Sequence, residues 1–283
     1  RPGAPDIRVE LPRLPDGEGE RLGKVTLIEI VNDDMPFLLD SVMAALNARG
    51  LTASFVVHPI FGVERDAAGT LDGLTPADTP ASARARRESL IQIHIPRIED
   101  EAQRAALAEE IGVVLGQVRR AVADWKPMME QVHGALADLA NAPAKVPAEE
   151  VEEAVALLEW LLDGNFTFLG SRNYDAREGA GGRIVFDRRM EDALGVLADE
   201  EFRLFRRASD PRAVSVDLSE VLAEPTPLIV VKSRTVSYVH RRAWIDVVVV
   251  KRYDAEGRIV GGLCVAGLFT NTAYAESVRA IPL

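Results

Sequence analysis

The stretch VTLIEIVNDDMPFLLDSVMAALNARGLTASFVV, residues 25–57, predicts a β-strand, a polar turn, an amphipathic helix and a second strand. Apolar and β-branched residues dominate positions 25–31, which is typical of a strand covered by helices on one face. Leucine, valine and methionine then recur at helical spacing over 38–46, and Gly50 closes the helix. These patterns predict a helix packed on a sheet.

The rest of the N-terminal half continues this pattern. The strand after the helix runs on to Val63, and a loop rich in Ala, Pro, Arg and Thr covers about 66–88. A strand over 89–95 and helices over about 100–122 and 127–140 follow. The order βαββα lacks one strand, and the alternating residues 6–12 are the candidate to supply it.

A second domain follows a linker at 141–147, NAPAKVP, so the predicted domains are 5–140 and 148–283. It opens with a helix over about 147–163. The predicted strands are 166–174, 183–187, 202–206, 213–217, 228–233, 236–240, 245–253 and 258–269. The last two form a hairpin through Asp254–Gly257. Many strands with few helices predict an antiparallel α+β domain, which looks most like a PAS-type fold.

The composition excludes several classes of function. A net charge of −11 over 283 residues argues against nucleic acid and anionic membrane surfaces as partners, because phosphate contacts need a basic face. No stretch approaches the roughly 18 apolar residues of a membrane helix. Cys264 is the one cysteine and sits in an apolar run, which indicates a buried thiol in a reducing cytoplasm. We expect a soluble piece of a longer polypeptide.

Several motifs carry a resemblance to known families. DMPFLL (34–39), followed by a helix and GLTA (50–53), resembles the corresponding turn and second strand of ACT domains, small modules that bind amino acids. The segments VNDDMPFLLDSV, SLIQIHIP (89–96), LLEWLLDGNFTFLGSRNY (157–174), VHRRAWIDVVVVKRYDAEGRIVGG (239–262) and GLFTNTAY (267–274) together resemble the N-terminal region of the large bacterial NAD-specific glutamate dehydrogenases.

The resemblance implies a fold, an activity and partners. It implies a ferredoxin-like first domain of the ACT type, with an antiparallel sheet and helices on one face. A degenerate second ACT module is the alternative to the PAS-type fold for residues 148–283. The parent enzyme would oxidise L-glutamate to 2-oxoglutarate with NAD, while this region, bound to the rest of its own polypeptide in a homo-oligomer, would carry neither catalytic residues nor cofactor. The alternative is a free-standing ACT-type sensor of an amino-acid effector.

The polar turn before the first helix is a candidate ligand site. Asn32, Asp33, Asp34 and Met35 precede a helix N-terminus, whose free N–H groups suit a carboxylate while an aspartate suits an ammonium group. The alternative is that Asp33 or Asp34 caps the helix. Phe37 stands where the resemblance places the glycine of ligand-binding ACT domains, so we expect this turn to serve packing and interfaces more than ligand capture.

A basic segment is the second candidate, for an anion site or an interface. Its candidate residues are Lys232, Arg234, His240, Arg241, Asp246 and Lys251. The alternative is surface pairing of these cations with Asp246 and other acidic groups. The four histidines are scattered, and neither a metal motif nor a dinucleotide or phosphate loop occurs in the sequence. We therefore predict no metal site and no catalytic centre.

Overall fold

The computed structural model describes residues 3–12, 22–76, 85–143, 145–178, 184–204 and 226–270. By contacts between residues, the chain divides into two compact units. Unit 1 comprises residues 1–119 together with the short segment Tyr238–Arg242, and unit 2 comprises 120–237 and 243–283.

Unit 1 is an antiparallel sheet of six described strands with two helices. The elements are β1 (Asp6–Glu10), β2 (Val25–Asp33), α1 (Leu38–Ala48), β3 (Phe55–Val57), β4 (Ile60–Arg65), β5 (Leu71–Pro76), β6 (Arg86–Pro96) and α2 (Glu101–Ala123), whose last turn lies beyond residue 119. The strand order is β1-β2-β6-β4-β5, and β3 also pairs with β6.

One face of this sheet forms the core of unit 1. Thr26, Ile28 and Ile30 on β2 are fully buried, while the residues between them are half-buried. The apolar stripe of α1 and the inner face of α2 are buried as well. A Cβ at Gly112 of α2 would lie 3.7 Å from Cδ1 of Ile7 on β1, so this helix packs directly on the sheet. The predicted helix-covered sheet is confirmed.

The N-terminal strand completes the sheet as predicted from the alternation over 6–12. β1 pairs antiparallel with β2, and Ile7 lies opposite Ile30. Two other expectations for this half were wrong. The predicted loop over 66–88 contains β5, which pairs with β4, and the predicted continuous strand to Val63 is divided after Val57, at His58 and Pro59, because proline has no N–H to give to a ladder.

Unit 2 is a second antiparallel sheet with helices on one face, which confirms the α+β class. Its elements are α3 (Trp125–Ala140), α4 (Ala148–Trp160), β7 (Phe166–Glu178), β8 (Ile184–Arg188), β9 (Leu194–Gly195), β10 (Leu228–Val236), β11 (Trp244–Tyr253) and β12 (Ile259–Phe269). The order is β10-β11-β12-β7-β8, with β9 on β7. The PAS-like or second-ACT assignment of this unit stays a prediction.

The helix α3 belongs to unit 2 because its buried residues pack in the core of that unit. Met128, Val132 and Leu139 of α3 are buried in one cluster with residues of α4 and with Val248 and Val250 of β11. The contact-based division therefore falls at residues 119 and 120, whereas composition placed it at the linker 141–147. The difference arises because α3 buries its apolar stripe against unit 2, which residue composition does not reveal.

The predicted strands of unit 2 match the structure over most of their length. The hairpin turn is confirmed: Gly257 has φ of 79°, and the Asp254 carboxylate accepts the backbone N–H groups of Glu256 and Arg258. The strand predicted over 236–240 was wrong, since β10 ends at Val236 and bends follow. Residues 202–204 are not a strand, while 205–206 and the predicted strand 213–217 lie outside the described residues.

Candidate functional site

The turn before α1 places its aromatic residue, not an aspartate, at the N-cap of the helix. Phe37 is the N-cap residue with φ of 69°, and no side chain caps the helix. Its carbonyl accepts the N–H of Ser41 at 3.1 Å. The alternative that Asp33 or Asp34 caps α1 was therefore wrong. A left-handed backbone is costly for any residue with a Cβ, which explains why glycine suits this position.

Both aspartates of the turn are held by other side chains of unit 1. The Asp34 carboxylate accepts the hydroxyl of Ser89 at 2.8 Å and lies 3.2 Å from Nε of Arg87. The Asp33 carboxylate lies 2.8 Å from Nη1 of Arg119 on α2. An α-ammonium group would have to displace these partners before either carboxylate could bind it.

Asn32 extends this network. Its Oδ1 accepts Nη2 of Arg119 at 2.7 Å, and its Nδ2 donates to the carbonyl of Asp33 at 2.8 Å. The side chain is 4% exposed, so both ends of a buried amide are satisfied. Arg119 on α2 thus donates hydrogen bonds to two residues at the end of β2, Asn32 and Asp33. Met35 is half-buried.

The N-terminal end of α1 also contacts the short segment Tyr238–Arg242, which belongs to unit 1. The backbone N–H of His240 donates to Oγ of Ser41 at 2.8 Å, and its ring lies 5.1 Å from the ring of Phe37. Nδ1 of His240 is 3.4 Å from Oδ2 of Asp40. Val239 is fully buried. The hydroxyl and the ring at the start of the helix are therefore already engaged.

The candidate residues of the basic segment do not form one cluster. Lys232 forms an ion pair with Asp246, whose other oxygen accepts the N–H of Phe269 at 3.3 Å. Antiparallel partners share a sheet face, and by register Lys251 lies on the opposite face of β11 from Asp246. His240 and Arg241 are in unit 1, and Arg234 is exposed on β10. The Lys232–Asp246 pair matches the alternative of ion pairing.

Sequence reasoning missed Ser41, Ser89 and Arg119. Ser41 is a fully buried polar residue within the apolar stripe of α1, and that exception to the hydrophobic pattern was a usable signal. Ser89 and Arg119 carried no such signal, because their partners lie 55 and 86 residues away in the chain.

The described part of the chain contains neither a candidate membrane helix nor a cluster of metal-ligating side chains. Within it, no helix is both long and apolar enough to cross a membrane. In the same ranges, no three histidine, cysteine or acidic side chains converge as a metal site would require.

Comparison with known proteins gives one family and several relatives. Residues 1–111 match the family described as glutamate dehydrogenase, ACT1 domain. The chain is 34% identical over its full length to an NAD-specific glutamate dehydrogenase of Halomonas elongata, and 37% identical over 91% of its length to one of Pseudomonas aeruginosa. A similar enzyme of Mycobacterium tuberculosis is 25% identical over 90% of the chain.

These alignments cover a small part of each relative. The chain spans 17%, 16% and 14% of the lengths of the three enzymes, in the order given. The ACT match covers the sheet and most of the helical layer of unit 1, where the turn at Asn32–Phe37 lies. These similarities indicate that the chain corresponds to an N-terminal region of the large NAD-specific glutamate dehydrogenases, with a glutamate dehydrogenase ACT1 domain over residues 1–111.

Proposed function

We propose that this chain is a regulatory and assembly region of an NAD-specific glutamate dehydrogenase. The whole enzyme would convert L-glutamate, NAD and water into 2-oxoglutarate, ammonia and NADH in the cytoplasm. NAD and the catalytic residues would belong to the remainder of the polypeptide, and the enzyme would work as a homo-oligomer. The similarity to three such enzymes over 90% or more of this chain supports this proposal.

The regulatory role is favoured over the sensory role because residues of the turn at Asn32–Phe37 already contact other side chains of unit 1. A free-standing amino-acid sensor needs a carboxylate and backbone N–H groups open to its ligand. In unit 1, Asp33 and Asp34 hold arginines, and Ser41 and Phe37 contact His240. We infer that these residues stabilise the packing of the domain and do not bind an effector.

The proposal is tested with the purified chain and with a full-length enzyme that carries it. The chain alone, given glutamate and NAD, is expected to produce no NADH at 340 nm above a buffer control. In the full-length enzyme, Arg119→Met should lower the thermal midpoint or the assembled fraction while kcat per active site changes less than twofold. Arg8→Met is the control, because Arg8 is 62% exposed and its ion pair among the described residues is with the exposed Asp6.

Two results would contradict this function. NADH production by the isolated chain, free of contaminating enzyme, would place chemistry inside it. Micromolar binding of glycine, serine, aspartate, glutamate or phenylalanine to the wild-type chain, lost in Asp34→Ala, would favour the amino-acid sensor.

A further inference from the structure

Unit 2 contains two adjoining cavities between α3 and β11. The larger, of about 300 Å³, is lined by the C-terminal end of α3, by residues 141–143 and by residues 251–255 at the end of β11. The smaller, of about 160 Å³, lies further back along α3, against strands of the sheet. Asp138, Lys251 and Arg252 line both cavities. A volume of about 300 Å³ is enough for a small molecule.

Small residues on α3 leave open space in the smaller cavity. Gly134 and Ala135 line it on the helix side, and a Cβ added at Gly134 would meet no atom within 4 Å. Val250 and Leu263 line it on the sheet side, and both belong to the apolar core of unit 2. The smaller cavity therefore offers space beside apolar side chains, which suits an apolar group of a ligand.

Asp138 brings a carboxylate without a partner to both cavities. It is exposed, and its carboxylate forms no ion pair or hydrogen bond with another described residue. Asp138 lies in the last turn of α3, and that turn contains no basic residue. The C-terminal end of a helix carries a partial negative charge, so a carboxylate there is unfavourable by itself. A positively charged group in the larger cavity would be stabilised by both.

Arg252 brings hydrogen-bond donors to the same cavities. Its Nη2 donates to Oδ1 of Asp175 at 2.7 Å, so its charge is already balanced. A Cβ added at Gly261 would lie 2.7 Å from Nη2, which places the guanidinium directly over this glycine. Nε and Nη1 have no partner among the described residues, and the fork of a guanidinium matches a carboxylate. Lys251 already has a partner and contributes no free charge.

We propose that these cavities bind an α-amino acid with a short apolar side chain. Its ammonium group contacts the Asp138 carboxylate, and its carboxylate accepts Nε and Nη1 of Arg252. Its side chain lies in the smaller cavity beside Val250 and Leu263. The site lies wholly within unit 2, apart from the turn before α1. It deepens the regulatory role proposed above, and its meaning as an effector site rests on that role.

L-valine is the probe, and its binding is measured by calorimetry and by thermal unfolding of the whole chain. At ten times its dissociation constant, L-valine should raise the unfolding temperature by about 3 °C, because a ligand that binds only the folded state stabilises it. Isobutylamine lacks the carboxylate and 3-methylbutanoate lacks the ammonium group, so each should bind at least about tenfold more weakly. Equal binding of L-valine and isobutylamine, or no binding of L-valine at millimolar concentrations, would overturn the proposal.

Two substitutions test the two charged contacts separately. Asp138→Asn removes the negative charge at nearly the same shape and should weaken L-valine binding about tenfold. It also removes an unfavourable charge from the end of α3, so the chain should fold as before. Arg252→Lys keeps a charge beside Asp175 but loses the fork, and should reduce the affinity for L-valine to about that for isobutylamine. Asp163→Asn is the matched control, since Asp163 is also exposed, lies just beyond α4 and lines neither cavity.

The failure of this site is distinguishable from the failure of the proposed function. Undiminished L-valine binding in Asp138→Asn would overturn the site, and so would binding that is lost in Asp34→Ala and retained in Asp138→Asn. NADH production by the isolated chain would contradict the proposed function without affecting L-valine binding at Asp138.

Discussion

Replacing Phe37 by glycine should leave the protein more stable than replacing it by alanine, which is the reverse of the usual order in helices. At ordinary helical positions glycine is about 1 kcal/mol less stable than alanine. Phe37 has φ of 69°, where a residue with a Cβ costs roughly 1–2 kcal/mol and glycine costs almost nothing. We therefore expect Phe37→Gly to be more stable than Phe37→Ala by about 1 kcal/mol.

Both variants should still be less stable than the wild type. Truncating a fully buried aromatic side chain costs about 3–5 kcal/mol, and Phe37 is half-buried against His240. About half of that cost, near 2 kcal/mol, is expected for Phe37→Ala, which keeps the backbone strain. Phe37→Gly relieves the strain and should lose only about 1 kcal/mol. Glycine adds no helix penalty here, because position 37 does not adopt helical backbone angles.

The assay is urea unfolding followed by circular dichroism and by tryptophan fluorescence. All three tryptophans, at 125, 160 and 244, lie in unit 2, so fluorescence follows unit 2 while circular dichroism follows both units. The variants should shift the midpoint of circular dichroism more than that of fluorescence. Two-state analysis applies to each unit's transition only if the two separate.

Phe55 provides the matched control, at which the stabilities of a glycine and an alanine variant are compared in the same way. It begins β3 and is 46% exposed, with its ring 4.7 Å from that of His94. Its φ lies outside the left-handed region, so glycine there should be less stable than alanine by about 0.5–1 kcal/mol. If Phe37→Gly is also less stable than Phe37→Ala, the left-handed strain does not govern this turn and the reasoning is refuted.

Three further predictions follow from the same contacts. Arg119→Met should destabilise unit 1 by about 1–2 kcal/mol, because Asp33 and the buried Asn32 both lose a donor; a midpoint shift no larger than in Arg8→Met would contradict it. Gly195→Ala should cost more than about 3 kcal/mol, because its Cβ would lie 2.2 Å from the carbonyl oxygen of Leu169; thermal unfolding should show a much smaller loss for Gly164→Ala, where φ is also positive but no atom lies within 4 Å. Burial raises the pKa of Cys264 to about 12, against an ordinary value of 9.0; the unfolded chain therefore loses this proton first, and the free energy of unfolding should fall by about 1.4 kcal/mol per pH unit between roughly 9 and 12. Comparison with Cys264→Ala isolates that slope, and equal slopes in the two proteins would refute it.

Much of the secondary structure of this chain is determined by residues that are close in sequence. The alternation over 6–12 and 25–31 identifies β1 and β2, and the helical spacing over 38–46 identifies α1, because strand and helix periods depend on neighbouring residues. The family could likewise be recognised from short motifs. The candidate turn at Asn32–Phe37 was also located, since a polar run before an apolar stripe marks a helix start.

The tertiary structure alone decided what those residues do. Asp33 and Asp34 are suitable caps by local preference, but Arg119 and Arg87 hold them instead, and the position of those arginines depends on chain folding. Phe37 adopts a left-handed backbone that its own preference opposes, within contacts to a segment some 200 residues later. Lys232 and Lys251 look like one basic patch in sequence, yet Lys232 on β10 pairs with Asp246, and strand register places Lys251 on the opposite face of the sheet. The burial of Arg172 on β7 also has no local signal, because it depends on contacts with Cys264 on β12 and with the carbonyl of Leu197. Local pattern determines the elements, whereas pairing, burial and charge partners arise only when distant segments come together.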